Sequence, residues 1–514
     1  MPDSVRLSIK VARTSRRPAF AQIADAIADE VHRGSLHPGD RLPSSRHLAT
    51  ELNVHRNTVL AAYQELEGQG WIIGRHGRGT FVSNDLPDQR ARADDDPGAR
   101  HGEDPIGFTL PRRELSAAGT PEPVRPGLIS LTRNVGDPRL FPAEDLARAY
   151  RRALRRAGGA LLDYGDQRGH PHLREELAKM LKTTRGLAVR ADDVLVTHGS
   201  QMALYLAACA VVPRQGTIAV ESLGYPLAWA AFRLAGAKLV PVPVDERGMV
   251  VDRLEQLTRR HKISAVYLTP HHQYPTTVTL SPDRRLQLLD LARARRIAVI
   301  EDDYDHEVHY QGRPLLPLAS VDRDGVVVYI GSFSKVFAPG VRLGYVVAPG
   351  PVLDRMGALR HAIDRQGDPA IEFAVADLLE DGVMQRHVNK MRRVYEHRRD
   401  VLVQSLRTSL SDTLVFDMPT GGMALWARVT SGIDVANWSE RAINTGVQFS
   451  PARVFAFDKR PRPFLRLAYA VHTEQALREA VTRMTTALPR GRTGQRQPTG
   501  GPGPRSRHGP GTPH

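Results

Sequence analysis

Short apolar runs alternate with helical segments over residues 128–488, and this alternation limits the possible folds more than any other feature of the chain. The runs lack the polar alternation of a half-exposed strand, so each strand is expected to be buried on both faces. Such strands, separated by amphipathic helices, indicate an α/β domain with a mainly parallel sheet covered by crossover helices. The runs are DVLVT, TIAVES, AVYLTP, IAVIEDD and VVVYIGS. From about Ile363 the pattern changes to helix and mixed strands, which predicts a smaller C-terminal α+β lobe.

Composition divides the rest of the chain into four further segments. Residues 1–16 are a short polar arm, and residues 17–84 carry a helical pattern followed by a hairpin pattern. Residues 85–127 are rich in proline, glycine and charge and have no periodicity, which predicts a flexible linker. Residues 489–514 are basic and of low complexity, so we expect a disordered tail.

Charge and cysteine content narrow the partners and the compartment. The formal net charge of +15 suits a polyanionic partner, although net charge bears on association and not on fold. Cys209 is the one cysteine, so the chain forms no intrachain disulfide, which fits a reducing compartment. No apolar run approaches the roughly 18 residues that cross a bilayer, and the N-terminus lacks an apolar signal core. We therefore expect a cytoplasmic protein that does not bind membranes.

Residues 17–84 predict a winged helix-turn-helix domain that binds DNA. Two helices are joined by a tight turn, and the second of them starts near His55. The segment WIIGRHGRGTFVS that follows reads as two short strands around a glycine turn, which forms the wing. In a major groove an arginine pairs with guanine and an asparagine with adenine. The alternative is a small helical bundle whose polar residues only face water.

The residues that contact DNA are expected at three places in this domain. The first turn of the second helix enters the major groove, the start of the preceding helix binds phosphate, and the wing approaches the backbone or the minor groove. Either of two adjacent serines can cap the preceding helix. In that order the candidates are Arg56, Asn57 and Thr58; Ser44, Ser45 and Arg46; and Gly77 and Arg78. The segment GSLHPGDRLPSSRHLATELNVHRNTVLAAYQELEGQGWIIGRHGRGTFV resembles the GntR family of bacterial repressors, and this resemblance implies binding to double-stranded operator DNA.

Residues with useful chemistry follow the predicted strands of the α/β domain. Ligands of a parallel sheet bind beyond the carboxyl ends of its strands. There Lys335 follows the run VVVYIGSFS, and Asp302 follows the run IAVIE. After a third strand, a Gly-Ser-Gln sequence opens a helix whose free N–H groups suit an anion. A lysine, a carboxylate, an anion cradle and an aromatic together suit pyridoxal 5'-phosphate. Each feature alone also fits an ordinary capping cluster or a solvated lysine.

The stretch from Asn134 to about Ala470 resembles fold-type I aminotransferases. It is most similar to the MocR type of regulator, in which such a domain is fused to a GntR domain. The matching motifs are YGDQRGHPHLREELA, VTHGSQMAL, ESLGYP, TPHHQYPTTVTLSPDRR, EDDYDHE, SFSKVFAPGVRLGY and LRLAY. The resemblance implies a domain that binds pyridoxal phosphate, and a homodimer, because active sites of this fold are shared across a subunit interface.

The resemblance assigns a role to each matching residue. Lys335 is similar to the lysine that holds the cofactor covalently, and Asp302 to the partner of the pyridine nitrogen. Tyr304 resembles the phenol that bonds the ring hydroxyl, and Tyr225 the aromatic stacked on the ring. Arg466 matches the arginine that clamps a substrate carboxylate, a role that its planar fork suits. The implied phosphate shell is Gly199, Ser200, Gln201, Ser332, Ser334 and Arg342, with Tyr164 reaching the phosphate of the neighbouring subunit.

One turn departs from the pattern of the enzymes. Where they carry Asn-Pro-Thr-Gly beside the ring, this chain reads QYPTT at residues 273–277. The missing asparagine argues against efficient transamination. Thr277 in place of glycine changes the backbone geometry that is expected for the turn. The remaining cofactor residues are intact, so a half-transamination is credible and the enzymatic status stays open.

Two other groups of residues were considered as ligand sites. Arg453, near the carboxylate-clamping arginine in the sequence, is either a second carboxylate site or a solvated loop residue, and we favour the loop. His272, His306 and His309 lack the spacing of zinc ligands, since DHEVHY is not an H-E-x-x-H motif. No metal site is therefore expected.

Two functions fit this set of features. The first is a transcriptional regulator whose pyridoxal-phosphate domain senses a small amino compound, or the cofactor itself. The second is a catalytically active aminotransferase with an incidental N-terminal domain. We favour the regulator, because an enzyme has no use for a nearly complete operator-reading module.

Overall fold

The computed structural model describes residues 7, 9–12, 14–86, 125–312, 315–430 and 432–489. The chain forms two compact units, residues 1–113 and 114–514. Part of the predicted arm, the predicted linker except for its ends, and the predicted tail except for Pro489 lie outside the described residues. Within the described ranges no helix is both long and apolar enough to cross a lipid bilayer.

Among its described residues, the N-terminal unit holds three α-helices and a two-stranded hairpin. They are α1 (Ala19–His32), α2 (Ser45–Glu51), α3 (Arg56–Gly68), β1 (Ile72–Arg75) and β2 (Gly79–Val82). Apolar side chains at helical spacing form its core, where Ile23 of α1 and Val59 of α3 are fully buried. Ser44, rather than Ser45, caps α2, because its Oγ accepts the N–H of His47 at 3.2 Å. The predicted winged helix-turn-helix is confirmed.

The described residues of the larger unit form the remaining strands and α-helices. Its strands are β3 (Ile129–Ser130), β4 (Val194–Thr197), β5 (Thr217–Glu221), β6 (Lys238–Val242), β7 (Val244–Asp245), β8 (Gly248–Met249), β9 (Ile263–Leu268), β10 (Ala298–Asp303), β11 (Val327–Ser332), β12 (Gly344–Val347), β13 (Leu414–Val415), β14 (Ala424–Val429), β15 (Val447–Gln448), β16 (Ser450–Pro451) and β17 (Phe464–Ala468). Its helices are α4 (Ala143–Ala157), α5 (Pro171–Arg185), α6 (Gly199–Val211), α7 (Pro226–Leu234), α8 (Val251–Arg260), α9 (Pro282–Arg295), α10 (Gly350–Ile363), α11 (Pro369–Glu380), α12 (Val383–Ser409), α13 (Val435–Asn444) and α14 (Glu474–Thr486).

A seven-stranded sheet forms the centre of the larger unit. Its strand order is β4-β12-β11-β10-β9-β5-β6, and β12 alone runs antiparallel to its neighbours. Successive side chains point to opposite faces, so Leu195 of β4 joins one buried cluster while Val196 joins the other. Both faces are therefore covered, which explains the continuous apolar runs and confirms the mainly parallel sheet. The strands β4, β9, β10 and β11 end at the same edge.

The C-terminal lobe is built on a separate antiparallel sheet of order β13-β14-β17-β16. Helices α13 and α14 pack together in this lobe, where buried Trp438 donates its indole N–H to the carbonyl of Met484 at 3.0 Å. Strand β3 pairs with β15, so the first residues of the larger unit join the lobe. The predicted α+β lobe is thus present, and β17 carries Arg466 from it towards the edge of the large sheet.

Candidate functional site

A cavity of about 300 Å³ opens where the parallel strands end, and Lys335 lines it. It brings together every residue predicted for the cofactor site except Gly199 and Tyr164. The shared edge of β4, β9, β10 and β11 explains this, because each strand delivers its next residues to the same place. The lining side chains are those of Thr132, Asn134, Val135, Ser200, Gln201, Tyr225, Thr269, Tyr274, Asp302, Tyr304, Ser332, Ser334, Lys335, Pro339 and Arg342.

The amine of Lys335 is held in place and is made easier to deprotonate. Its Nζ donates a hydrogen bond to the carbonyl oxygen of Asn134. Burial and the nearby guanidinium of Arg466 lower the pKa of Lys335 to about 8, although Asp305 and Asp302 oppose the shift. A lysine with a lowered pKa offers more neutral amine near neutral pH, which is the form that attacks a carbonyl.

Asp302 lies at the end of β10 with one oxygen satisfied and the other free. Its Oδ2 accepts the hydroxyl of Tyr267 at 2.9 Å, whereas its Oδ1 is buried without a hydrogen-bond partner among the described residues. Burial raises the pKa of Asp302 to about 7. A buried carboxylate oxygen without a partner is costly, so this one suits a ligand that brings an N–H group.

The start of α6 and Arg342 form an anion cradle beside the cavity. Gly199 begins α6 with a positive φ of 76°, and the Nη2 of Arg342 donates to the carbonyl of His198 at 2.9 Å. A Cβ on Gly199 would lie 3.1 Å from that guanidinium, so glycine is required both by the backbone and by the close approach. Free N–H groups at a helix start next to an arginine are a phosphate-binding arrangement.

Of the three tyrosines predicted for this site, two line the cavity and one does not. Tyr304 is buried at the cavity, and its hydroxyl donates to the carbonyl of His272 at 2.9 Å. Tyr225 immediately precedes α7 and lines the cavity. Tyr164 lies away from the cavity, is 70% exposed, and holds the guanidinium of Arg365 at 3.7 Å from its ring centroid. Its contact with a neighbouring subunit stays a prediction.

The turn at residues 273–277, which differs from the Asn-Pro-Thr-Gly pattern, is held by hydrogen bonds although it lacks the glycine. Thr277 adopts a positive φ of 64°, and its N–H donates to the carbonyl of Gln273 at 2.7 Å. The buried amide oxygen of Gln273 accepts the N–H of Thr276 at 3.1 Å and its hydroxyl at 2.6 Å. The Gln273 side chain therefore fixes Thr276, while its main-chain carbonyl bonds Thr277, the β-branched residue in the left-handed region.

Tyr274, which the sequence did not mark as a site residue, contacts the predicted carboxylate clamp. The guanidinium carbon of Arg466 lies 4.6 Å from the centroid of the Tyr274 ring. Arg466 is 2% exposed and does not line the cavity, whereas Tyr274 does. The departure from the Asn-Pro-Thr-Gly pattern was the signal that pointed to this position, but not to the contact.

The candidate ligand residues outside the cavity have protein partners. His272 Nδ1 lies 2.9 Å from Asp305 Oδ1, His306 Nδ1 lies 3.1 Å from Asp303 Oδ2, and His309 Nε2 accepts from Arg392 at 3.0 Å. Ligand atoms of His271, Asp303 and His306 also come within 4.8 Å of one another. The absence of a metal stays a prediction. Arg453 is exposed in a short helical turn, 3.9 Å from Glu440.

In the N-terminal unit most of the predicted DNA contacts lie on the surface. Arg56 and Asn57 are exposed at the start of α3, and Thr58 is half-buried. Ser45 Oγ accepts from Arg56 at 3.4 Å, which links the two helix starts. Ser44 caps α2, as described, and Arg46 is exposed; in the wing, Gly77 has a positive φ of 71° and Arg78 is exposed.

Sequence reasoning missed one basic residue of this surface. Arg41 forms a β-bridge with Phe81 and is exposed beside the wing, where a Cβ on Gly79 would lie 3.2 Å from its Nε. The turn sequence HPGDRLP gives no periodicity that would pair it with the wing. Arg41, Arg75 and Arg78 together give the hairpin a basic edge.

Comparison with known proteins agrees with both units. Residues 130–484 match the family model described as aminotransferase class I and II, and residues 20–82 match the one described as bacterial regulatory proteins, gntR family. The probable rhizopine catabolism regulatory protein MocR of Rhizobium meliloti is 31% identical over 92% of this chain and 94% of its own length. The chain belongs to the MocR type of GntR-family regulators. It is accordingly a transcriptional regulator with an aminotransferase-like domain, and the family supports this role over the catalytic alternative.

A second regulator is similar over both units, and a solved enzyme is similar to the larger unit. The HTH-type transcriptional regulator TauR of Rhodobacter capsulatus is 34% identical over 91% of this chain and 96% of its own length. Among solved structures, the α-aminoadipate aminotransferase LysN of Thermus thermophilus has a TM-score of 0.65 and 30% identity, over 70% of this chain and 92% of that one. The fold of the larger unit is therefore that of a family of pyridoxal-phosphate-dependent enzymes.

Proposed function

We propose that this chain binds pyridoxal 5'-phosphate in the cavity of Lys335, and that a small carboxylated amino compound bound beside it changes the affinity of the protein for double-stranded operator DNA. The observation that carries the proposal is the free Oδ1 of Asp302, buried in the same cavity as Lys335. A protonated pyridine nitrogen is a partner that satisfies this oxygen. The cofactor itself is the alternative effector.

The residues of the cavity fit the cofactor group by group. When bound, pyridoxal phosphate supplies an aldehyde carbon that amines attack and a ring that withdraws electrons. Lys335 would hold the cofactor through its amine, since burial lowers the pKa of this lysine to about 8. Asp302 would accept a hydrogen bond from its protonated ring nitrogen, and Arg342 with the start of α6 would hold its phosphate.

Arg466 suits the carboxylate of the effector. Its guanidinium is buried, and within the described part of the chain it forms no ion pair and no hydrogen bond, with its Nε buried and unpartnered. A buried cation without a counter-ion is unfavourable, and a carboxylate is the planar anion that an arginine binds with two parallel hydrogen bonds. The effector class that follows is an amine with a carboxylate.

A homodimer accounts for the apolar surface beside the anion cradle. A groove of about 420 Å³ next to Arg342 and His198 is lined by apolar side chains, among them Leu146, Tyr150 and Ile371. Leu162 and Tyr164, which follow α4 in the sequence, are 78% and 70% exposed. Exposed apolar side chains favour a protein partner, and a second copy would bring the number of winged helices to two, one for each of a pair of DNA half-sites.

An absorbance titration of the full-length protein carrying its cofactor tests the proposal. Amino acids and amines are added in turn while the visible band of the bound cofactor is recorded, and a keto acid is added last. A band that moves with one carboxylated amine and does not recover with the keto acid supports the sensor. Loss of the band followed by its return with the keto acid supports the aminotransferase instead, and no band at all contradicts the cofactor assignment.

A further inference from the structure

The side chain of Tyr274 lies over the guanidinium that the effector carboxylate needs. The ring of Tyr274 lines the cavity, whereas Arg466 does not. The two side chains stack with 4.6 Å between the guanidinium carbon and the ring centroid. In this arrangement the ring provides the favourable contact of Arg466, through the attraction of a cation to an aromatic face. A carboxylate from the cavity meets Tyr274 first.

The backbone of Tyr274 is fixed, so only its ring is able to move. The N–H of Tyr274 donates to Thr269 Oγ1 at 2.8 Å, and its carbonyl accepts from the Gln273 side chain at 2.7 Å. Both hydrogen bonds use the main chain and leave the phenol ring unrestrained by them. No hydrogen bond holds the Tyr274 hydroxyl within the part of the chain that the structure describes.

The ring is packed by aromatic edges from both parts of the larger unit. Its centroid lies 5.3 Å from that of Tyr225, 6.1 Å from Tyr304 and 5.5 Å from Phe455. Phe455 belongs to the C-terminal lobe, and its carbonyl accepts the N–H of Gly224 at 3.0 Å, close to Tyr225. A displaced Tyr274 ring would therefore disturb contacts with Phe455 of the C-terminal lobe and with Tyr225 and Tyr304 beside the large sheet.

We infer that Tyr274 is a gate on the carboxylate subsite: its ring covers Arg466 in the absence of effector, and the carboxylate of the effector displaces it. The inference rests on the proposed function and specifies how the effector is selected. A carboxylate gains two charge-assisted hydrogen bonds to Arg466, which outweigh the lost stacking. An amine without a carboxylate forms no such bonds to Arg466, so it leaves the Tyr274 ring in place. Only carboxylated ligands therefore produce the arrangement in which the ring is displaced.

The first experiment observes the ring directly and needs no knowledge of the effector. Fluorotyrosine is incorporated into the full-length protein carrying its cofactor, and the Tyr274 signal is assigned as the one missing from Tyr274→Phe. Acetate, a carboxylate without an amino group, is expected to shift this resonance, while ethylamine leaves it in place. A resonance that stays fixed up to saturating acetate overturns the gate, and it does so whether or not the absorbance titration supports the cofactor assignment.

The second experiment measures selectivity in matched variants. L-amino acids are each paired with the amine that lacks the carboxylate, and their affinities are measured on the wild type, Tyr274→Leu and Tyr274→Phe. The leucine variant has no aromatic face to compete, so it should bind carboxylated ligands about three to ten times more tightly and the paired amines equally. The phenylalanine variant keeps the face and should match the wild type. Equal changes for both ligand classes, or weaker carboxylate binding in the leucine variant, would show that Tyr274 only fills space or positions Arg466.

Discussion

The cavity of Lys335 and the surface proposed to bind DNA expose their polar side chains to solvent to very different degrees. At the cavity, Asp302 is 4% exposed and is oriented by Tyr267, so one of its oxygens stays unsatisfied until a ligand arrives. On the winged helix, Arg56 and Arg78 are exposed, so their guanidinium groups are accessible to solvent without a ligand. A buried site is built in advance and depends on every member, whereas an exposed basic surface shares its binding energy over many contacts. Substitutions should therefore have large effects at the cavity and moderate ones on the winged helix.

The largest effect is expected from Lys335→Ala. This variant removes the amine that attaches the cofactor, so the visible band of the protein should disappear completely. The fold should persist, since the lysine makes one side-chain hydrogen bond, to the carbonyl of Asn134. Absorbance and thermal unfolding, measured on the same sample, check both statements. A persistent band would refute the assignment of Lys335.

Asp302→Asn should change the pH dependence of the cofactor-free protein. Burial raises the pKa of Asp302 to about 7, whereas an aspartate in an unfolded chain titrates near about 3.9. The folded state thus favours the protonated acid, and the stability this contributes is present below about pH 4 and is lost as the pH rises towards about 7. The neutral asparagine does not lose it, so the variant should gain, relative to the wild type, on the order of a few kcal/mol over this range.

Thermal unfolding of both proteins at several pH values between about 4 and 8 measures this gain. The comparison of variant with wild type cancels the other buried acids of the site, whose titration both proteins share. A difference in unfolding temperature that stays constant across the range would contradict the raised pKa of Asp302. Cofactor binding should weaken in the same variant, because the pyridine nitrogen loses its charged partner.

Arg56→Ala should reduce operator binding by about 1–3 kcal/mol if the side chain reads a base. Binding to unrelated DNA should then change little, which fluorescence anisotropy with both DNAs would show. Arg33→Ala, an exposed arginine at the end of α1 that pairs with Glu30, serves as the matched control. A loss of equal size on all sequences would instead identify Arg56 as a phosphate contact.

The smallest effect is expected from Arg41→Ala. Arg41 lies beside the wing, away from the helix that is expected to contact base edges. Its charge should therefore attract phosphates, and the loss of binding affinity should be similar on every DNA sequence. The dependence of binding on salt should fall by about one released counter-ion. Titrations at several salt concentrations would measure the slope, and an unchanged slope would remove Arg41 from the DNA surface.

The chain order of strands and polar residues was enough to predict the cavity. Asp302 lies at the end of one apolar strand and Lys335 follows shortly after another, and parallel strands deliver such residues to one edge. The contact of Tyr274 with Arg466 was beyond reach, because the two residues are far apart in the sequence and meet only once the lobe packs on the sheet. The pairing of Arg41 with the wing was missed for the same reason, since an isolated bridge has no sequence period. The identity of the capping serine depended on backbone geometry that both candidates fit equally well.

The central claim is that a ligand in the Lys335 cavity alters DNA binding by the same chain. The direct test measures operator affinity of the full-length protein with and without the amino compound that moves the absorbance band, using DNA selected by the protein from a random pool. The wild type should show a change of about fivefold or more, corresponding to a coupling of roughly 1–3 kcal/mol, and Lys335→Ala should show none. An equal ligand effect in both proteins, or none in either, would contradict the claim.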